Sequence, residues 1–110
     1  MSCDVAGMRI ALATVLLLAS ATAQAATINN DLAFACADLG DQLRIDRVIA
    51  ARDQEAVTRL IEEGFRAKRC MNLPKGLGVR VEERVGKFSC VAKLGSTGRC
   101  LWLRSLLVDR

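Results

Sequence analysis

Residues 77–108 read LGVRVEERVGKFSCVAKLGSTGRCLWLRSLLV, and this stretch decides the fold. Val79 and Val81 alternate with Arg80 and Glu82, the period-2 signature of a half-buried strand. Val85-Gly86-Lys87-Phe88 turns the chain. KFSCVAKL and RCLWLR follow as two further strands about Gly95-Ser96-Thr97-Gly98. Ser105–Val108 is short enough to close a sheet as a last strand. Alternation puts Phe88, Cys90, Cys100 and Trp102 on one face of the hairpin, and Val91, Leu101 and Leu103 on the other. If Cys90 faces Cys100 directly, Phe88 faces Trp102 and Ala92 faces Gly98. That register needs a connecting loop of odd length or a bulge. At a non-hydrogen-bonded pair the Cα atoms lie about 4.5 Å apart, within disulfide reach.

Upstream the texture is helical. Asp41 can cap one helix, and Asp53 with Glu55 begins another. Ala56, Val57, Leu60 and Ile61 form one face of a 3.6-residue period, and Gly64 suits the left-handed position that ends a helix. In the first helix Leu43, Val48 and Ile49 are the apolar stripe, which Ile45 interrupts. The spacing predicts helices near 42–51 and 53–63. Residues 26–40, with Cys36, read as an extended or loosely helical lead-in. The expected fold class is therefore α+β: two short N-terminal helices followed by a small antiparallel sheet or partial barrel.

Residues 1–25 read as a signal peptide. Arg9 precedes a short apolar run, and Ala23-Gln24-Ala25 offers a small-residue cleavage site. Met8 is an alternative start, which would exclude Cys3. The apolar run falls short of the roughly 20 residues that span a bilayer, so no stable membrane anchor is expected after cleavage. One domain, 26–110, remains. It keeps the formal net charge of +4, because the leader removes one Arg and one Asp. That mild excess suits an anionic partner and equally a merely soluble domain. A domain this small has a thin core and often needs staples.

Cys36, Cys70, Cys90 and Cys100 make an even count in an exported chain, which reads as two disulfides. Of three possible pairings the local one, Cys36–Cys70 with Cys90–Cys100, is favoured. The closest cysteines are separated by nine residues and the chain has no His, so neither the close pairs of a zinc site nor a C-x-x-C redox motif is present. Without His, the commonest general base and its Ser and Cys pairs are missing. Glu62-Glu63 and Glu82-Glu83 are adjacent carboxylates that point in different directions. Three Phe and one Trp supply a poor base-stacking platform, so nucleic acid is not an expected partner. No enzyme, cofactor or metal is expected.

From Lys75 to Val108 the pattern resembles the second half of bacterial SH3-like domains. Gly76, Val79, Val81, Gly86, Phe88, Val91, Gly98, Trp102, Leu103 and Leu107 fill its slots. The upstream half of that pattern is replaced by the helices and Cys36. The chain as a whole is similar to small exported proteins of Gram-negative bacteria. The resemblance implies a small barrel or twisted sheet that binds a protein or a cell-wall component in the periplasm or outside the cell. A small inhibitor of a periplasmic or host enzyme, presenting GSTG or LPKG as a loop, is the alternative. The candidate ligand patch is Phe88 and Trp102 with Lys93 and Arg99, although alternation sets the two cations on the opposite face. Burial of Trp102 in the core is the competing expectation.

Overall fold

The computed structural model describes residues 24–110. The expected leader falls outside the described residues, except that Gln24 and Ala25 lie in the first strand. The elements run β1 (Gln24–Ile28), β2 (Ala33–Cys36), α1 (Leu39–Ala50), α2 (Gln54–Arg66), β3 (Cys70–Leu73), β4 (Gly78–Val85), β5 (Phe88–Lys93) and β6 (Leu101–Arg104). A 3₁₀ turn (Ser105–Leu107) and β7 (Val108–Asp109) follow. Among the described residues all strands join one antiparallel sheet of seven, in the order β3-β2-β6-β5-β4-β1-β7.

This corrects the expected architecture. The helices are not N-terminal, because two strands precede them, and the sheet is larger than a partial barrel. The lead-in is strand on both sides of a turn at Asn29–Leu32. Ala26 and Ile28 of β1 and Ala33 and Ala35 of β2 point into the core, alternating with Ala25, Thr27, Phe34 and Cys36. The alternation is present, but alanine is a poor strand former and blurs it. β3 was hidden for a similar reason: a four-residue strand with Asn72 at its centre carries little periodic signal.

The sheet curls. Only the three-residue 3₁₀ turn separates β6 from β7, yet β5, β4 and β1 lie between them in the sheet. Laid flat at about 4.8 Å per strand, β6 and β7 would stand about 19 Å apart. A 3₁₀ turn rising about 2 Å per residue cannot span that gap, so the five strands wrap around a concave face. A register shift between Val81 and Glu83 leaves Glu82 as an extra residue and adds local bend. Ile28, Val79, Val91 and Leu103, each at most 2 % exposed, fill the concave side, with Leu107 and Val108 packed against them. The 3₁₀ turn and β7 therefore complete the core. The sequence expectation of a closing strand over 105–108 holds only for Val108.

Both helices cover the other face. Asp53 caps α2 as expected, its side chain accepting from the Ala56 N–H at 3.1 Å. Ala56 and Val57 are buried and Leu60 and Ile61 half-buried, so the stripe of α2 is correctly read. The stripe of α1 is not. Leu43 and Ile49 are exposed, and the buried positions are Asp41, Gln42 and Ile45. Ile45, an interruption of the stripe on the sequence reading, is its centre. Gly64 does not end α2, which continues to Arg66. A Cβ at Gly64 would stand 2.7 Å from Cys70 Sγ, so glycine there makes room for the disulfide. Lys68, at φ 60°, supplies the left-handed residue instead.

Candidate functional site

The described residues place chemistry at three locations: a cleft in the concave face, an ion cluster under α1, and the two disulfides. The cleft has a volume of ≈ 310 Å³. Met71, Leu73 and Pro74 form one wall, Leu77, Val79, Val91 and Leu101 the floor, and Lys93, Ser96 and Arg99 the rim. Sequence alternation explains most of it. Val91 and Lys93 share a face of β5, and Leu101 joins that face across the ladder, where it pairs with Val91. The rim loop is held in shape by short-range bonds. The Ser96 N–H donates to the Lys93 carbonyl at 3.0 Å, and the Gly98 N–H donates to Ser96 Oγ at 3.0 Å. Arg80 donates to the Ser96 carbonyl at 3.2 Å while it pairs with Glu82 at 2.8 Å. Lys93 and Arg99 are exposed and form no ion pair among the described residues. Two uncompensated cations thus stand over an apolar floor.

The four residues of the expected patch divide between the two faces. Lys93 and Arg99 come together on the cleft rim. Phe88 is 2 % exposed and lies on the helix side, under the Arg104 guanidinium at 5.8 Å from the ring centroid, a cation–π arrangement. Trp102 is half-buried on that same face. It stands opposite Cys90 on one side and Cys36 on the other. The apolar walls, not the aromatics, accompany the cations. Leu101 was legible by alternation, whereas Met71 and Leu73 reach the cleft only through β3.

The hairpin register also differs from the expected one. Cys90 faces Trp102 and Phe88 faces Arg104, two residues from the register that would put Cys90 opposite Cys100. The disulfide Cys90–Cys100 instead runs diagonally, from β5 to the residue just before β6, with Cα atoms 5.3 Å apart. A diagonal neighbour suffices for a bridge, and the connecting loop, 94–100, still has odd length. The other bridge, Cys36–Cys70, joins directly opposed residues of β2 and β3, 4.0 Å apart at Cα. The pairing is the local one favoured from the sequence. Two disulfides point to an oxidising compartment. Among the described residues no helix is long and apolar enough to cross a membrane.

Under α1, Asp46 accepts from Lys87 Nζ at 3.0 Å and from Arg104. The hydrogen bond from Lys87 holds the Asp46 carboxyl below the ordinary carboxylate range; partial burial opposes this, and the Arg104 charge assists it. Gln42, buried on the same helix, donates to the Trp102 carbonyl at 2.7 Å and to the Phe34 carbonyl at 3.0 Å. Cys36, Cys70 and Asp41 have ligand atoms within 4.8 Å of one another, the spacing of a metal cluster. The two sulfurs are bonded to each other, and Arg69 Nε donates to Asp41 at 3.1 Å, so these groups already satisfy one another. Ser89, fully buried, shares a 2.6 Å hydrogen bond with Ser105, one hydroxyl serving the other. Comparison with protein-family models, with curated proteins and with solved structures gave no match.

Proposed function

We propose that this chain is a non-catalytic, exported binding module that holds a protein or a cell-wall component in the concave cleft, in the periplasm or outside the cell. The observation that carries the reading is the pairing of an apolar lining of Leu73, Leu77 and Leu101 with the uncompensated cations Lys93 and Arg99. Such a site favours a ligand with an apolar part and a negative part. The resemblance of 75–108 to bacterial SH3-like domains supports the same reading, since those domains bind peptides or protein partners. The disulfides fit export.

The test is affinity capture from a periplasmic extract and on purified peptidoglycan, with wild type and the double variant Lys93→Glu/Arg99→Glu. Both positions are exposed, so the fold should survive. A partner retained by wild type and lost by the variant is expected. Equal retention by both would remove the cleft from the reading.

One observation favours the alternative, a small inhibitor. The loop 94–100 is clamped by Cys90–Cys100 and by the bonds to Ser96, and it carries Leu94, which is 50 % exposed. A rigid loop with an apolar tip suits insertion into a partner's cleft. Under that reading Leu94→Asp abolishes capture of an enzyme, and Lys93→Glu/Arg99→Glu does not.

A further inference from the structure

The cleft has one wall that is a sheet edge. Among the described residues β3 pairs only with β2, and nothing follows it in the sheet order. Its register fixes which backbone groups are free. The Ala37 N–H donates to the Arg69 carbonyl at 2.8 Å, so residues 69, 71 and 73 are the hydrogen-bonded members of the antiparallel pair with β2. The intervening residues turn their N–H and C=O the other way, which sends those of Asn72 to the open edge. Asn72 is exposed. Met71 and Leu73 on either side of it face the cleft. The Pro74 carbonyl accepts from the Leu77 N–H at 3.1 Å and proline contributes no N–H, so the edge ends there.

We infer that the cleft takes an extended acidic–apolar peptide that pairs with the edge of β3 through Asn72, sets an apolar side chain against Leu73, Leu77 and Leu101, and directs a carboxylate to Lys93 and Arg99. The inference rests on the cleft being the binding site. Strand addition supplies main-chain bonds, and alternate side chains read the groove. A residue paired across from Met71 turns its side chain to the concave side, and the next to do so is two positions along. One apolar and one acidic residue at i and i+2 therefore reach the floor and the rim together. By the same alternation Cys70 also turns its N–H and C=O to the edge, so the short edge, ended by Pro74, admits two such rungs, and Asn72 is the one that lies between the cleft residues Met71 and Leu73. That limits pairing with further copies and leaves side-chain complementarity to set the specificity.

The experiment is to pan a displayed library of random linear heptapeptides against the oxidised protein at low salt. Enriched sequences should carry Asp or Glu two positions from Leu, Ile, Val or Phe. A synthetic peptide of the enriched sequence should bind at least tenfold more weakly to Lys93→Glu/Arg99→Glu, and more weakly as salt rises. Binding should protect the Asn72 amide from hydrogen exchange, and Asn72→Pro, which removes that donor, should weaken it tenfold. Protection of the wild-type amide keeps the test valid if Asn72→Pro fails to fold. Absence of enrichment, enrichment without an acidic residue, or an unprotected Asn72 amide overturns the inference. Soluble muropeptides and octanoate, followed by amide shifts of 91–101, separate the two levels. If either shifts the cleft while no peptide is enriched, the cleft remains the site and the peptide assignment fails. If none of the probes acts there, both fail.

Discussion

The curled unit of β1 and β4–β7 and the insert β2–α1–α2–β3 are held by different forces. The curled unit closes on a concave core with Ile28, Val79, Val91 and Leu103 at its centre, and Ala33, Ala35 and Leu73 of the insert join that core at one side. Its ladders are long and its registers continuous apart from the bulge at Glu82. The insert meets the rest of the sheet at one rung, Cys36 opposite Trp102. Beside that rung, polar contacts tie it to the curled unit, Gln42 to the Trp102 carbonyl and Asp46 to Arg104 and Lys87, while the Cys36–Cys70 bridge and the Gln42 bond to the Phe34 carbonyl hold the insert together within itself. A small sheet with an apolar concave face stabilises itself. A helical flap on its outer face needs specific anchors. The insert also brings the β3 wall of the cleft, so anchoring the flap and shaping the site are one task.

Four variants test that contrast. The largest effect is expected from Cys36→Ala/Cys70→Ala. A bridge across a sequence separation of 34 is worth about 4 kcal/mol on the chain-entropy model. Denaturant unfolding should show that loss, and native-state hydrogen exchange should place the earliest opening in β2 and β3. Should the exchange of β4 and β5 rise equally, the insert is not a separable unit.

Next is Leu103→Ala, which removes a fully buried side chain from the concave core at a cost of about 3 kcal/mol. Here every protected amide should weaken together, because this residue belongs to the unit on which the rest stands. Selective opening of the insert would reverse the assignment of roles.

Gln42→Leu should follow, at about 2 kcal/mol, since it takes a buried donor from the carbonyls of Phe34 and Trp102. The expected readout is faster exchange confined to α1 and β2, with Trp102 emission shifting to the red. An unchanged melting curve would show that water replaces the amide without penalty.

The smallest effect belongs to Asp46→Asn, a few tenths to about 1 kcal/mol, because Lys87 is more than half exposed and solvent screens the pair. Its value lies in the pH profile. The Asp46 pKa is lowered in the folded state, so its contribution is present above the ordinary carboxylate pKa and is lost as pH falls through the folded value. Wild type should therefore lose melting temperature between about pH 5 and pH 2, and Asp46→Asn should lose less over that window. Parallel profiles would mean that the cluster does not anchor α1.

The same contrast governs what the sequence makes legible. The strands from Gly78 to Arg104 are readable because valine or leucine alternates with charged or aromatic residues in β4 and β6, and because β5 is a short apolar run, buried on both faces, between two turn signals. The disulfide pairing is readable from spacing. The place of the helices is not, since the alanines of β1 and β2 hide two strands that precede them. The face of α1 is misread because its buried positions include Asp41 and Gln42, chosen for their hydrogen bonds and ion pair and not for hydropathy. Of the candidate site, Lys93 and Arg99 are legible as a pair on one face, and Leu101 with them. The aromatic residues misdirect, because Phe88 serves Arg104 beneath the helices. Gly64 resembles a helix stop until the sulfur beside it is known.

One consequence concerns the order in which the chain can fold. β1, the first described strand, pairs with β7 through Thr27 with Asp109 and Ile28 with Val108. A chain emerging N-terminus first, from a ribosome or a translocation pore, presents β1 with one of its two partners missing until residue 109 is free. The concave core then lacks Leu107 and Val108 as well. Closure is therefore a late, long-range event of the kind that slows folding. Until that step the outer edge of β1 and the apolar floor are both open to other chains. Removal of Val108–Arg110 should leave a soluble-looking secondary structure and an aggregation-prone sheet.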